Sequence, residues 1–240
     1  MKKHEKDKAF VWHPFDVLNL EANTFIKKGS GVYLHTSDGR KIIDAISSWW
    51  VNLHGHRNKD INKAVAKQLR YLEHVIFAGF THEPAIKLAE GLIKILPGHM
   101  DKIFYSDNGS TAVEVALKMA IQFWHNQGQI KKKFIALEGA YHGDTFGSMS
   151  VGARGGFNTP FEPFLFEVEF IDLPTSDNFD RVIQKFHSLV AAGEIAGFIY
   201  EPLIQGSAGM RMYDPEHLEA LLKMAKEHHV LCIADEVFTG

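Results

Sequence analysis

Four short apolar runs constrain this chain more than any other feature: "KIFYS" at 102–106, "KFIAL" at 133–137, "IAGFIYE" at 195–201 and "VLCIAD" at 230–235. Runs of this length that read apolar almost throughout suit strands buried on both faces, as in a parallel sheet covered by helices. The intervening sequence supplies the helices. Positions Val113, Ala116, Leu117, Ala120, Ile121 and Trp124 share one helical face, which predicts a helix from about Ser110 to Trp124. Asp214-Pro215 reads as an N-cap residue followed by proline at the first helical position. The expectation is an α/β fold with a mainly parallel sheet, and such folds collect ligands at the C-terminal ends of their strands.

The first part of the chain is written differently. Residues 31–46, "GVYLHTSDGRKIIDAI", alternate apolar and polar on both sides of Asp38-Gly39, which predicts a small β element with a two-residue hairpin turn. From residue 59 the period becomes helical, with Ile61, Ala64, Val65, Gln68, Leu69 and Leu72 mainly on one face. Pro84 then opens a second helical stretch through Leu88, Leu92, Ile95 and Leu96. The expected division is residues 1–58, carrying the hairpin, and residues 59–240.

Composition narrows the function classes. With 26 Lys and Arg against 29 Asp and Glu, a net charge of −3 and no concentrated basic face, neither nucleic acid nor a membrane surface is an expected partner. The N-terminus is charged without an apolar stretch behind it, and no run of about 18 apolar residues occurs, so neither a signal peptide nor a membrane span is expected. The single cysteine, Cys232, is expected to be a buried small hydrophobe in a reducing, cytoplasmic setting.

Four strand ends carry the chemistry. After "KIFYS" a polar turn leads to Gly109-Ser110, which open the helix just described; free N–H groups, a hydroxyl and a glycine suit a phosphate, although a helix can open this way for structural reasons alone. No G-x-G-x-x-G accompanies it, which disfavours a nicotinamide cofactor. After "KFIAL" comes "YHGDTFG", where two glycines flank Tyr141, His142 and Asp144. The other two runs end on Glu201 and Asp235. Buried carboxylates there require partners, and a phosphate site, an aromatic face and an acid to hold a ring nitrogen protonated are what a protein contributes to pyridoxal phosphate chemistry. The histidines at 54, 56, 228 and 229 lack a carboxylate or cysteine set at ligand spacing, so no metal is expected, and His228 and His229 suit a helix C-terminus. Trp49 and Trp50, read as strand residues, point to opposite faces, which directs one of them to a pocket or a partner subunit.

The segments "WHPF", "DGRKIIDAISSWWVNLHGH", "SDNGSTAVEVALKMA", "YHGDTFGSMSVG", "EPLIQGSAGMRMY" and "IADEVFTG" resemble, in order and spacing, the class III aminotransferases of fold type I over nearly the whole chain. The resemblance implies that the second segment is part of a large domain binding pyridoxal 5'-phosphate and the first part of a small domain. It implies that Gly109 and Ser110 bind the cofactor phosphate, that Tyr141 contacts the ring and the substrate, that Asp235 holds the ring nitrogen and that Glu201 stands nearby. Phe15, Trp49 and Trp50 would line the substrate pocket with Tyr141. "SSWW" and "GMRMY" resemble the biotin-pathway branch, which implies 8-amino-7-oxononanoate as acceptor and S-adenosylmethionine as donor. Phe15 stands where that branch commonly has tyrosine, so lysine is the alternative donor. In the family the Schiff-base lysine lies beyond the aspartate equivalent to Asp235, and Lys118, Lys131 to Lys133, Lys223 and Lys226 do not fit that role. No catalytic lysine is therefore expected in these residues, which alone should not transaminate; the family also implies a homodimer. Another class III aminotransferase, or a non-catalytic cofactor- or partner-binding module, are the competing readings.

Overall fold

The computed structural model describes residues 3–14 and 23–240. They form two compact units, Met1–Asp101 and Lys102–Gly240.

In the first unit, helix α1 (Lys3–Phe10) precedes an antiparallel sheet of β1 (Ile26–Ser30), β2 (Tyr33–Thr36) and β3 (Lys41–Ile43), in the order β1-β2-β3. The connection from β2 to β3 is longer than the two residues expected. The Thr36 N–H donates to the Arg40 carbonyl at 3.0 Å, leaving Ser37, Asp38 and Gly39 as the loop, with Gly39 at φ +92°. A three-residue hairpin loop needs a left-handed residue, which glycine supplies. Helix α3 (Lys59–Gln68) begins where the Asn58 side chain accepts the Asp60 and Ile61 N–H groups, and α4 (Glu83–Ile95) has Pro84 in its first turn. The compact division at 101/102 thus keeps both helices with the sheet, whereas the change of sequence style falls at 58/59.

Between the sheet and α3 the strand reading of Trp49 and Trp50 fails. Ser47–Trp50 (α2) is a helical turn whose four residues all have positive φ, from 49° to 67°. Non-glycine residues in this region cost about 1–2 kcal/mol each, on the order of 4–8 kcal/mol for the four, so the turn must be held by its surroundings.

The second unit is built on a parallel sheet of β4 (Lys133–Leu137), β5 (Val168–Ile171), β6 (Ile195–Tyr200) and β9 (Leu231–Ala234), in the order β5-β4-β6-β9. Helix α5 (Gly109–Asn126) covers one face, burying Val113, Leu117, Ala120 and Trp124 against Phe134, Ala136, Ala196 and Ile199. Ile121, expected on that face, is exposed, because it lies at the edge of the stripe formed by Val113, Leu117, Ala120 and Trp124. Helices α7 (Phe179–Ala191) and α8 (Pro215–Glu227) cover the other face, packing Val182, Phe186, Leu218 and Leu221 on Ile135, Leu137 and Phe198. A bulge between the Lys133–Ile195 and Phe134–Gly197 pairs re-phases β6, so that Ala196 and Ile199 face α5 while Phe198 faces α7. Trp124 fastens α5 by donating its indole N–H to the Ala196 carbonyl at 2.8 Å.

Two expectations fail here. "KIFYS" forms no strand among the described residues, because no neighbouring strand pairs with it, and an apolar run is a strand only with a partner. Cys232 is exposed rather than buried: β9 is the last strand in the sheet order, and only Leu231 and Ile233 pack against the α5 side. The short helix α6 (Phe146–Val151) and the antiparallel pair β7 (Ile204–Gln205) and β8 (Arg211–Met212) complete the unit, close to the strand ends.

Candidate functional site

The site grows from the start of α5. Asn108 caps the helix by accepting the Thr111 N–H at 3.0 Å, while its own N–H donates to the Thr111 hydroxyl at 3.2 Å. This reciprocal box leaves the first two helical N–H groups, those of Gly109 and Ser110, without intrahelical acceptors. They sit at the positive end of an 18-residue helix, a setting that favours an anion.

The loop after β4 is sewn onto this helix start. The Asp144 N–H donates to the Ser110 hydroxyl at 3.2 Å, and the Ser148 hydroxyl donates to the Ser110 carbonyl at 2.7 Å. Glu114, one turn further along α5, accepts from the Thr145 hydroxyl at 2.7 Å and the Ser148 N–H at 3.2 Å. Gly143 has φ +120°, and a Cβ there would fall onto the Ser110 side chain, so the approach requires glycine on both counts.

Within the loop, the Tyr141 N–H donates to Glu201 at 3.1 Å and the Tyr141 hydroxyl donates to Asp144 at 2.8 Å, leaving the phenol ring half exposed. Partial burial, and then the Asp144 carboxylate, push this phenol up to about 12. Glu201 is buried at the end of β6, and burial raises its carboxyl above the ordinary glutamate value. Its second oxygen accepts the Gly206 N–H at 2.8 Å. Both oxygens thus act within the protein, bracing the loops after β4 and β6.

Asp235 stands at the end of β9, its N–H continuing the ladder to the Tyr200 carbonyl at 2.8 Å. One carboxylate oxygen meets the His142 Nδ1 at 2.7 Å; the other accepts the Val237 N–H at 3.2 Å. His142 is buried, and its Nε2 has no hydrogen-bond partner among the described residues. Val237 in turn lies over Gly109, where a Cβ would come within 2.9 Å of it. The turn after β9 is therefore brought against the start of α5.

Ser110, Tyr141, Glu201 and Asp235 are thus drawn together by hydrogen bonds of the loops at the C-terminal ends of β4, β6 and β9, and Gly109 joins them through its contact with Val237. The sequence order reverses direction around β4, with β5 on one side and β6 on the other, which is where open α/β sheets leave a crevice. Trp49 and Trp50 belong to the first unit, and Phe15 lies outside the described residues. His142 was named in the sequence only as an ionisable loop residue. As the partner of Asp235 it is the component that sequence reasoning missed, and the signal lay in an acid ending an apolar strand with a glycine-flanked histidine after another.

Residues 17–240 match the aminotransferase class-III family. The chain belongs to that family. It is 50% identical over 239 residues to the adenosylmethionine-8-amino-7-oxononanoate aminotransferase of Synechococcus elongatus, covering 96% of this chain and 56% of the relative. The crystal structure of the enzyme of that name from Methanocaldococcus jannaschii superimposes with a TM-score of 0.92 at 38% identity, over 99% of this chain and 55% of that one. An amine transaminase from an uncultivated Pseudomonas species, solved in the PLP-bound (internal aldimine) form, gives a TM-score of 0.88 at 29% identity, over 95% of this chain and 56% of that one. The class III fold is that of the pyridoxal-phosphate-dependent transferases of fold type I, and this chain spans a little over half the length of these relatives. The groups present fit that cofactor: two N–H groups without intrahelical acceptors and a hydroxyl suit a phosphate, and an aromatic face and a carboxylate suit a protonated ring.

Proposed function

We propose that these residues form the pyridoxal-phosphate-binding part of an aminotransferase of biotin biosynthesis, transferring an amino group from S-adenosylmethionine to 8-amino-7-oxononanoate. The observation that carries the cofactor reading is the pairing of Asp235 with the open N-terminus of α5, brought together through Val237 and Gly109. Bound pyridoxal phosphate supplies an electron sink whose strength depends on a protonated ring nitrogen. The work of this chain is to keep a negative charge at that nitrogen with Asp235, to fix the carboxylate with His142 and the Val237 N–H, and to hold the phosphate on Gly109 and Ser110. Tyr141 covers the ring, its hydroxyl tethered by Asp144 and kept protonated across the physiological range.

The substrate assignment is supported by the names of the relatives and by "SSWW" and "GMRMY", and Trp49 and Trp50 are read as walls of the acceptor pocket. We assign the working protein to the cytoplasm as a homodimer. In support, exposed apolar side chains such as Phe104, Ile95 and Leu53 offer surface for further chain or a second subunit to cover. The Schiff-base lysine is assigned to sequence beyond Asp235.

The test uses the protein at its full encoded length. Asp235→Asn is expected to lower turnover at least a hundredfold while retaining bound cofactor, seen by its visible absorption, because an amide supplies no charge to the ring nitrogen. Near-normal turnover would remove Asp235 from the role. Mixing the wild type with adenosylmethionine or with lysine, each without acceptor, identifies the donor by which one converts the cofactor to its amine form. Conversion by lysine alone would transfer the assignment to lysine.

A further inference from the structure

One side chain, Asp44, grips the left-handed turn of α2 at its second residue. Asp44 accepts from the Ser48 N–H at 2.9 Å with one oxygen, and from the Ser48 hydroxyl and the His56 Nε2, each at 2.7 Å, with the other. Its side chain is only 6% exposed. Runs of non-glycine residues with positive φ persist only where their surroundings over-determine them, and such strain gathers at functional positions. Asp44 is such a determinant, because it takes up both the backbone and the side chain of the second residue of the turn.

The clasp is itself anchored. The Asp44 N–H donates to the Val32 carbonyl at 2.8 Å. His56 exchanges backbone hydrogen bonds with Gly31, at 2.8 and 3.1 Å, and its ring covers Gly29, where a Cβ would come within 2.7 Å of the histidine. The β1–β2 hairpin therefore fixes His56, His56 helps to fix Asp44, and Asp44 fixes the turn that carries two tryptophans in succession. The Ser48 hydroxyl, the Ser48 N–H and His56, in that order, hold the Asp44 carboxyl down to about 2, so this carboxylate is ionised at neutral pH. A turn needed only to reverse the chain would be met at lower strain by glycine or asparagine. Ser-Ser-Trp-Trp places two large indoles in this geometry instead.

We propose that Asp44, backed by His56, is a positioning residue that sets amino-acceptor specificity by holding Ser47–Trp50 in its left-handed turn. The proposal rests on the reading of Trp49 and Trp50 as walls of the acceptor pocket. The indole faces suit an acceptor with an alkyl chain, and a turn released from Asp44 would present them differently.

The experiment measures the two half-reactions separately in the full-length protein: donor with the aldehyde form of the cofactor, and acceptor with the amine form. Asp44→Ala is expected to raise the acceptor KM at least tenfold while changing the donor constants less than twofold and leaving the bound-cofactor absorption unchanged. Asp44→Asn, which keeps an oxygen for the Ser48 N–H, is expected to recover part of the loss, and near-ultraviolet circular dichroism of the tryptophans should follow the same order. If Asp44→Ala fails to fold, Asp44→Asn and Ser48→Ala carry the test with a smaller shift in acceptor KM. An unchanged acceptor KM, or equal losses in both half-reactions, would overturn the proposal. Trp49→Ala and Trp50→Ala separate it from the reading beneath it. If neither moves the acceptor KM, the pocket assignment fails; if they move it and the Asp44 variants do not, the pocket stands and the role of Asp44 fails.

Discussion

Replacing His142 by leucine removes the 2.7 Å partner of Asp235 and leaves a carboxylate oxygen with little water to replace it, since Asp235 is only 9% exposed. Breaking a buried charged pair from one side costs about 3–5 kcal/mol, and a single hydrogen bond to a charged group is worth about 1.5–3 kcal/mol. Asp235 keeps the Val237 N–H on its other oxygen, so the cost of a single hydrogen bond applies, and His142→Leu should destabilise the second unit by about 1.5–3 kcal/mol. The same change made in an Asp235→Leu background should cost at least 1.5 kcal/mol less, roughly, because no buried charge is then stranded. Native-state hydrogen exchange on the amides of β6 and β9, read by mass spectrometry, isolates this unit from the first. Equal costs in the two backgrounds, within about 0.5 kcal/mol, would show that the 2.7 Å approach carries no coupling and that His142 does not fix the acid.

Three further outcomes are expected. Gly143→Ala combines a φ of +120° with a Cβ placed on the Ser110 side chain; it should lose at least about 1–3 kcal/mol in urea unfolding, whereas Gly155→Ala, open on every side, serves as a control that should lose far less. Asp44 stabilises the folded state above its ordinary value of 3.8, and that contribution is lost as pH falls towards about 2. The Tm difference between wild type and Asp44→Asn should therefore shrink between pH 5 and pH 2, and a difference that widened with acid would contradict the assigned direction. Trp124→Phe keeps most of a buried ring but strands the Ala196 carbonyl, so a loss of about 1–3 kcal/mol is expected by equilibrium unfolding, against almost none if water reaches that carbonyl.

Much of the second unit was legible because its signals were local. β4 spans Lys133–Leu137 as read, α5 and α8 begin within a residue of their capping signals, and the acids at the ends of β6 and β9 lie where apolar runs stop. Partnership between distant segments was not local. "KIFYS" looks like the other strands but pairs with no strand among the described residues, while "VEFI", passed over in the sequence, becomes β5 because β4 offers it an edge. α7 was also passed over, although its buried Val182, Phe186 and Val190 repeat at helical spacing; only its packing on Ile135 and Phe198 shows how firmly it belongs. The tryptophan turn was the hardest to foresee. Positive φ in Ser and Trp has no propensity signal, and the hydrogen bonds from Ser48 and His56 to Asp44 that accompany it join residues up to 12 positions apart.

The hydrogen bond between His142 and Asp235 joins residues 93 positions apart on strand ends that lie two places apart in the sheet. A ribosome adding about 5–20 residues per second delivers the acid about 5–20 s after the histidine. For that interval the loop after β4 exists without the carboxylate that completes its burial, and over the last part of it β6 exists without β9 along its edge. Domain-scale packing at these strand ends can close only after Asp235 has emerged. During synthesis the exposed edge of β6 is a surface that chaperones can occupy and that other nascent chains can pair with. Slowed translation between the codons for Tyr200 and Asp235 would lengthen that exposure without altering a single side chain.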